Sequence, residues 1–533
     1  MAESFKDRAA VVFAALLAAV RVVGGSLEQD NTLDHIAGSA AEAWGSVALA
    51  AAVFVCAALA CHALFRLIPA TEERLAAVPQ TPFLPALFSE RRTALLLLWA
   101  ILFLCWLPCW LAYWPGIYNY DMPTVRAPSV YEGPYWNTQP LLHSFVINTL
   151  YDAVMTEAAT ADAAGSAEGS ALVSACQLVL MSFVFAFIVH RLGRLRVPTA
   201  LRLVCLLWFA LNPVNALFAI SETKDVPFAG VFALVTLLLV EFAQNAEAFL
   251  ASRKKMIALG ALALLLCLLR NNAAFALIAL LALAAVFLRG LYCGPMRRLT
   301  AAFAGVAAAW FVLTGVVYPA AEIHASPSKE MLSVPAQQLA YTYNLYAKEM
   351  TDDERNMTTN NILIGLTEAY NPRLADPVKN YIRDWPSDEY STGLMRHWFS
   401  LGLKYPKEYA TAFLALNLAS WYTGLDVPDP FSGVVYIETW NQPGAGFERV
   451  SKLPALLPYY ESVATGAAWQ SVPVLSLFFD TGAPLWLVFF GLLFCLSRRR
   501  TAAAVAFLLP IALWVTMMFG PVTNGRYVYP MLL

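Results

Sequence analysis

The feature that most constrains this chain is a series of apolar runs, each close to the length of a helix that crosses a bilayer. Such a helix needs about 20 residues to span the hydrocarbon core. The runs lie at 10–24, 45–67, 93–114, 172–190, 200–220, 222–243, 256–270, 273–290, 300–319, 476–497 and 501–519. Because apolar runs of this kind are stable as helices in lipid, we predict an all-α polytopic membrane protein with about eleven transmembrane helices.

Composition supports the same class and argues against others. Of the 533 residues, 59% are hydrophobic and 14% are charged, and the mean hydropathy is +0.58. That is more apolar surface than one globular core hides from water. The formal net charge of -2 gives no indication of the basic surface that binds nucleic acid. The nine cysteines lie in or beside apolar runs, or in a short basic loop at Cys293, so we expect neither a disulfide framework nor a zinc site.

Lysine and arginine are concentrated in alternate loops, and this predicts the side of the membrane that each loop occupies. Cytoplasmic loops carry an excess of both residues. The segment 25–44 has neither residue and 115–171 has only Arg126, so we expect both segments to be extracytoplasmic. We expect the N-terminus and five basic loops to be cytoplasmic, in a multi-pass protein of the plasma membrane. The basic residues of these loops are Arg74, Arg91 and Arg92; Arg191, Arg194 and Arg196; Arg253, Lys254 and Lys255; Arg289, Arg297 and Arg298; and Arg498, Arg499 and Arg500.

Apolar residues also lie near both ends of the chain. The first run follows a charged start and is interrupted by Arg21. We therefore expect an uncleaved first span or an interfacial helix, with a cleaved signal peptide as the alternative. A further apolar run begins at Pro530 on the predicted outer side, so we expect the C-terminal region to lack a final span.

Two long outward segments divide the chain into four regions. We assign 1–92 to an N-terminal two-span region, 93–320 to a transmembrane core, 321–472 to a mainly helical extracytoplasmic region and 473–533 to C-terminal spans. The core includes the first outer loop, 115–171. In that loop the segment QPLLHSFVINTLYDAVM has apolar residues at helical spacing, which predicts a helix lying along the membrane surface.

Charged and amide side chains recur at the span ends that we predict to face outward. Asp121 follows the third run. A charge at a span end normally snorkels, pairs or lines a polar cavity, because it is costly in hydrocarbon. Each residue taken alone is explained as an interfacial anchor, but their common side favours a shared cavity. The other residues of this kind are Glu222, Lys224, Asp225, Arg270, Asn272 and Arg526.

From the residues alone, Asp121 and the pair Lys224–Asp225 each have two interpretations. Transfer of a group to a hydroxyl requires a base, and a carboxylate is a suitable one. Alternatively, Asp121 is a solvated residue that caps a short helix starting at Met122 and Pro123. Lys224 and Asp225 either bind a ligand or neutralise each other where an unpaired charge would be costly.

Five segments, taken in order and on one predicted side, resemble the GT-C superfamily of polytopic membrane glycosyltransferases. The closest likeness is to a poorly characterised bacterial branch, and it extends from Leu95 to Leu533. The segments are WPGIYNYD, TQPLLHSFVINTLYD, SETKDVPFAGVFAL, LRNNAAFALIALLAL and GRYVYP. The resemblance makes 93–320 a GT-C-like core and implies an active site that opens at the outer leaflet.

The resemblance also implies the substrates and the roles of several residues. The donor would be a sugar on a polyprenyl phosphate. The catalytic carboxylate of the family corresponds to Asp121, and its basic phosphate-binding residues to Lys224 and to Arg270 or Arg526. The remaining substrate-binding candidates are Asp225, Glu222, Asn272, Gln139 and His143.

The chain departs from the family pattern beside the catalytic carboxylate. Many members have a second acidic residue next to it, whereas Met122 follows Asp121 here. Members also tend to have a His-Pro pair in the next segment, where this chain has Gln139–Pro140 with His143 one helical turn later. Glu132 is a candidate for the second carboxylate. We predict neither a metal ion nor a cofactor.

The resemblance therefore implies an inverting glycosyltransferase with a lipid, glycan or surface-polymer acceptor. A fixed Lys or Arg stabilises the negative charge of the departing lipid phosphate, and bundled spans supply an apolar groove for the lipid tail. One alternative is a transporter or flippase of lipid-linked saccharides, although the chain has no paired internal repeat of the kind that transporters often show. A second alternative is a polymerase or ligase of surface polysaccharide, which joins larger units.

Overall fold

The computed structural model describes residues 2–77, 84–126, 135–154, 165–287, 294–326, 328–361, 369–382, 388–442 and 445–533. The protein is 74% helical and has no β-strand in the part of the chain that is described. The all-α class predicted from the apolar runs is therefore confirmed.

The first half of the chain forms the helices that contain most of the predicted spans. In chain order these are α1 (Ala2–Asp30), α2 (Ala40–Ala77), α3 (Pro85–Phe88), α4 (Arg92–Ala112), α5 (Met122–Val125), α6 (Leu141–Asp152), α7 (Ala167–Arg194), α8 (Thr199–Leu211), α9 (Pro213–Ala219), α10 (Asp225–Gln244), α11 (Ala246–Ala251), α12 (Arg253–Leu269), α13 (Asn272–Phe287), α14 (Pro295–Val312) and α15 (Tyr318–Ala320).

The second half begins with shorter helices and ends with apolar ones. These are α16 (Ser333–Tyr346), α17 (Asp352–Asn361), α18 (Asp376–Lys379), α19 (Asp388–Lys404), α20 (Pro406–Leu416), α21 (Leu457–Ala464), α22 (Leu475–Phe479), α23 (Ala483–Ser497), α24 (Thr501–Met517) and α25 (Gly525–Leu532).

Six helices of the described chain are long and apolar enough to cross a membrane, so this is a membrane protein. They are α1, α2, α4, α7, α10 and the continuous helix formed by α14 and α15. A seventh candidate is the pair α8 and α9, which is bent by 55°. Helices α13, α23 and α24 are apolar but shorter. Each predicted apolar run falls largely on a helix, whereas the count of eleven spans remains a prediction.

The bend between α8 and α9 has a local cause. Pro213 has no N–H to continue the α8 ladder, and its fixed backbone angle suits the first turn of a new helix. The Asn212 side chain accepts a hydrogen bond from the Val214 N–H at 3.0 Å, which caps that new helix. The chain therefore changes direction at Asn212 and leads directly into the turn Ile220–Lys224.

Helix α10 lies at the centre of the bundle. It packs against α7, α12, α24 and α25, and it is apolar on most sides, as expected of a fully surrounded helix. Val226 and Ala229 belong to one large hydrophobic core, with α4, α7 and α8. Phe228 and Phe232 belong to the other, with α12, α13 and α24. The N-terminal end of α10 is thereby fixed between the two cores.

The helix predicted after Gln139 is present as α6 and is amphipathic, whereas its position along the membrane surface remains a prediction. Its buried face includes His143, Ile147 and Tyr151 and packs against α7 and α12. Its other face leaves Phe145 71% and Val146 46% exposed. Because the buried face carries the polar His143, α6 presents an imidazole to the bundle as well as apolar surface.

The region from Ser333 to Leu416 has a small core of its own. Leu339, Ala340, Val378, Leu394 and Tyr409 form its centre, on α16, α18, α19 and α20. After α20 the chain is largely irregular and packs against the bundle, where Tyr436 and Ile437 join the core of α4 and α7.

Candidate functional site

Backbone hydrogen bonds hold the loop after α4 against the turn after α9. The Ile117 N–H donates to the Ile220 carbonyl at 3.1 Å, and the Glu222 N–H donates to the Ile117 carbonyl at 3.0 Å. Asp121 follows this bridge by one turn and starts α5, where the Val125 N–H donates to its backbone carbonyl. Its side chain does not cap α5, so the capping role considered for Asp121 is absent. The carboxylate points instead toward the turn that carries Lys224.

Asp121 forms ion pairs with two cations from distant parts of the chain. Lys224 Nζ lies 2.7 Å from Asp121 Oδ2, and Arg526 Nη1 lies 3.2 Å from the same oxygen. Lys224 Nζ also donates to Gln139 Oε1 at 2.6 Å. Asp121 is only 7% exposed, so little water competes for these contacts and the attraction is stronger than on an open surface.

Asp225 forms the second half of the same arrangement. Arg270 Nη1 lies 3.3 Å from Asp225 Oδ1, and Arg526 Nε lies 3.8 Å from Asp225 Oδ2. Arg526 therefore bridges the two carboxylates. Lys224 and Asp225 form no ion pair with each other within the described chain, so the mutual neutralisation considered from the sequence is wrong. We call Asp121, Lys224, Asp225, Arg270 and Arg526 the charge cluster.

The charge cluster has three cations and two carboxylates. Burial raises the pKa of Asp121, but the charges of Lys224 and Arg526 outweigh this effect and lower the pKa below its ordinary value. Asp121 is consequently ionised at physiological pH. The carboxyl group of Glu438 also acts on Arg526 and Asp121. Three basic side chains that converge in a buried site are suited to hold an anionic ligand in competition with these carboxyl groups.

His143 lies beside the charge cluster, one helical turn after Gln139. It is 5% exposed, and neither ring nitrogen has a hydrogen-bond partner among the described residues. Burial, followed by the charge of Lys224, lowers its pKa to about 4, so the ring is neutral at physiological pH. Buried polar atoms without partners are rare and costly, and they are expected where a ligand or water completes the site.

Two cluster arginines also keep donors without hydrogen bonds. Arg526 Nε and Arg270 Nη1 are buried and have no hydrogen-bond partner within the described chain, although both are in longer ion pairs with Asp225. The ring nitrogens of His143 and the Oδ1 atom of Asp225 also lack hydrogen-bond partners within the described chain. An anion with several oxygens satisfies such a set of donors.

Glu222 and Asn272 lie outside the charge cluster. Glu222 is fully buried and accepts hydrogen bonds from Tyr151 at 2.6 Å and from Ser170. Burial raises its pKa to about 7, against the effect of these hydrogen bonds. Asn272 begins α13 and makes no polar contact with the cluster in the described residues, whereas its neighbour Asn271 donates to the Asn137 carbonyl at 3.0 Å. The candidate second carboxylate, Glu132, falls outside the described residues.

The sequence reasoning missed several residues that hold Arg526 in place. Asn119 Oδ1 lies 3.4 Å from Arg526 Nη1. The Arg526 guanidinium also lies 4.9 Å from the Tyr527 ring centre and 5.6 Å from that of Tyr120, within range of cation–π attraction. The tyrosines of YNYD and GRYVYP, two segments already singled out, were the available signal.

The glycine of GRYVYP allows a close backbone contact. A Cβ atom at Gly525 would collide with the Tyr436 carbonyl oxygen, so only glycine lets the start of α25 approach the segment before α21 this closely. This contact fixes the position of Arg526, the next residue. Within the described chain, no group of three His, Cys, Asp or Glu side chains is placed to hold a metal ion.

An apolar groove of about 490 Å³ runs beside the bent pair α8 and α9. Helix α9 connects this groove to the turn that carries Lys224. Asn212, at the bend, is one of its few polar residues. The groove is lined by residues including Leu207, Trp208, Leu211, Val463, Leu475 and Phe479.

Comparison with known proteins identifies a family but no characterised relative. No curated protein and no solved structure matches the chain significantly. The model of a family of unknown function, DUF6020, matches residues 142–533. The match begins after Asp121 and Gln139 and includes His143, Lys224 and Arg526. Because it spans more than half of the sequence, the chain belongs to the DUF6020 family of unknown function.

Proposed function

We propose that this protein is a membrane glycosyltransferase that transfers a sugar from a polyprenyl phosphate to a lipid or glycan acceptor on the extracytoplasmic side. The observation that carries the proposal is the buried charge cluster, in which Lys224 and Arg526 surround Asp121 beside the neutral His143. These residues come from four separate segments of the chain. Their convergence favours a built site over a set of isolated interfacial anchors.

Lys224 and Arg526 are the proposed ligands of the donor phosphate. Departure of the lipid phosphate builds negative charge, and a fixed cation in a water-poor site stabilises it strongly. The two side chains are 16% and 11% exposed, so both are shielded and yet within reach of a ligand. Arg270 is a third basic residue and lies 3.3 Å from Asp225. Because Asp225 pairs with Arg270, its negative charge does not fully neutralise the charge of Arg526.

The apolar groove supports a lipid-linked donor. Its volume of about 490 Å³ falls within the range of small-molecule sites, and its walls are suited to a hydrocarbon chain. The bend at Asn212 brings α9 from the groove to the turn Ile220–Lys224. A lipid seated there has its tail in the groove and its phosphate toward Lys224.

The two ends of α10 support an extracytoplasmic location. Asp225 and the charge cluster lie at its start, whereas Glu241 near its other end pairs with Arg191 and Lys255, which belong to two loops predicted to be cytoplasmic. A helix of 20 residues is about 30 Å long, and the hydrocarbon core is about 30 Å thick. With the basic loops inside, the charge cluster faces outward.

Transfer by protein in liposomes tests the proposal. Wild-type protein, given a radiolabelled polyprenyl-phosphate sugar and an acceptor extract, should transfer label to the acceptor. Lys224→Gln and Arg526→Gln should each reduce transfer by about 100-fold, the usual loss when one charge-stabilising donor is removed. Arg297→Gln, which changes an exposed arginine on α14, should retain full transfer.

The same liposomes separate the alternatives. Movement of the donor across the bilayer without transfer would establish the flippase in place of the glycosyltransferase. Transfer of whole saccharide chains would favour the polymerase or ligase. Full transfer by both Lys224→Gln and Arg526→Gln would remove the charge cluster from the mechanism.

A further inference from the structure

His143 is a neutral titratable side chain that lies beside the charge cluster. Its neighbours there are Asp121, Lys224 and Asp225, whose charges all act on it. The ring lies on the buried face of α6 and is 5% exposed. Both nitrogens lack partners in the described chain, so both are available to a bound substrate.

A neutral imidazole has one N–H donor and one unprotonated nitrogen. In a site that binds an anion and a hydroxyl, the donor suits a phosphate oxygen and the unprotonated nitrogen suits the hydroxyl proton. Burial, then Lys224, lowers the pKa of His143 to about 4. The unprotonated nitrogen is therefore present throughout the physiological pH range.

Asp121 is less suited to take a proton. Its Oδ2 already accepts from Lys224 at 2.7 Å and from Arg526 at 3.2 Å. Protonation would weaken two ion pairs in a buried site, where loss of a partner is costly. Asp121 is better suited to orient the two cations and to occupy their position until a phosphate arrives.

We infer that His143, rather than Asp121, is the base of the transfer reaction, an inference that rests on the proposed function. The acceptor oxygen forms a bond to the anomeric carbon of the sugar while the bond from that carbon to the phosphate oxygen breaks. The electron pair of the broken bond leaves with the lipid phosphate. The hydroxyl proton passes to the unprotonated nitrogen of His143, whose other nitrogen donates its N–H to the departing phosphate. The imidazolium then returns a proton to phosphate or water.

Transfer kinetics of matched variants test this role. His143→Gln should lower kcat by about 10²- to 10⁴-fold, the usual contribution of a general base, with a much smaller change in donor KM. Asp121→Asn should lose less kcat and should bind inorganic phosphate more tightly than wild type, because it lacks the carboxylate that competes for Lys224 and Arg526. His190→Gln is the control, since His190 is also buried with one unpartnered nitrogen but lies near the far end of α7.

A spectroscopic measurement needs no turnover. In protein labelled with ¹³C in its histidine rings, inorganic phosphate should shift the resonance that disappears in His143→Gln and leave that of His190 in place. An unchanged His143 resonance at saturating phosphate would overturn the inference. So would a kcat for His143→Gln within threefold of wild type, or a larger loss in Asp121→Asn than in His143→Gln.

Failure of the proposed function has a different signature. If wild-type protein transfers no sugar, the glycosyltransferase proposal and the base role fall together. A phosphate-dependent shift of the His143 resonance would then still establish His143 as a ligand-binding residue. If this shift were also absent, His143 would have no role in ligand binding.

Discussion

Neighbouring residues in the turn after α9 have different partners and therefore different roles. Glu222 is hydrogen-bonded to Tyr151 and Ser170, whereas Lys224 contacts Asp121 and Gln139. Glu222 connects α6 and α7 to the turn, and Lys224 belongs to the charge cluster. A substitution at either position should thus affect different measurements, stability for Glu222 and ligand binding for Lys224.

The protonation of Glu222 predicts a pH-dependent stability. Burial raises its pKa from the ordinary 4.5 to about 7, so the folded protein holds this proton more tightly than the unfolded chain does. The contribution of this group to the free energy of unfolding is fully present below pH 4.5 and is lost as the pH rises through about 7. Glu222→Gln removes the titration, so relative to wild type it should gain stability at high pH, by at most about 3 kcal/mol.

Thermal unfolding in detergent at pH 5.5 and pH 8.5 measures this effect. The Tm of Glu222→Gln relative to that of wild type should be higher at pH 8.5 than at pH 5.5. Glu90→Gln, which changes an exposed carboxylate, should show no such dependence. Equal differences at both pH values would contradict a raised pKa for Glu222.

At the scale of elements, the start of α25 depends on a close backbone contact. Gly525→Ala would place a Cβ against the Tyr436 carbonyl and displace Arg526. We expect a loss of about 1–3 kcal/mol in stability, as for other overpacked sites, together with weaker phosphate binding. Gly305→Ala is the matched control, because a Cβ there meets open space in α14 and alanine favours a helix. Calorimetry measures the stability of both variants, and phosphate titration measures their affinity. Equal stability and equal phosphate affinity in the two variants would contradict the prediction.

The sequence predicted the elements better than their contacts. Apolar runs locate helices because each run must satisfy its backbone and its lipid contacts locally. The pairing of Asp121 with Lys224 depends instead on the hydrogen bonds of Ile117 with Ile220 and Glu222, and no local pattern encodes such a long-range bridge. Glu222 and Lys224 are close in the sequence and were therefore predicted to belong to one site. Their side chains point in different directions, because packing sets these directions in a tight turn and the sequence spacing does not reveal them.

At the scale of the whole molecule, the charge cluster lies at one end of α10, and two of the basic loops contact the other end through Arg191 and Lys255. This arrangement predicts that a membrane-impermeant maleimide labels Ala37→Cys in intact cells and labels Arg297→Cys only after the membrane is opened, in a background without the native cysteines. Both positions are exposed, so the bilayer is the barrier that differs. The reverse labelling pattern would place the charge cluster on the cytoplasmic side and contradict the proposed orientation.

The bridging position of Arg526 also affects how the protein matures. Arg526 reaches both Asp121 and Asp225, yet the ribosome makes it long after the first ten helices. During synthesis Asp121 has only Lys224 as a cation partner from the cluster, and the inserted chain has an incomplete anion site. The charge cluster is therefore complete only when α25 docks and Arg526 reaches the two carboxylates.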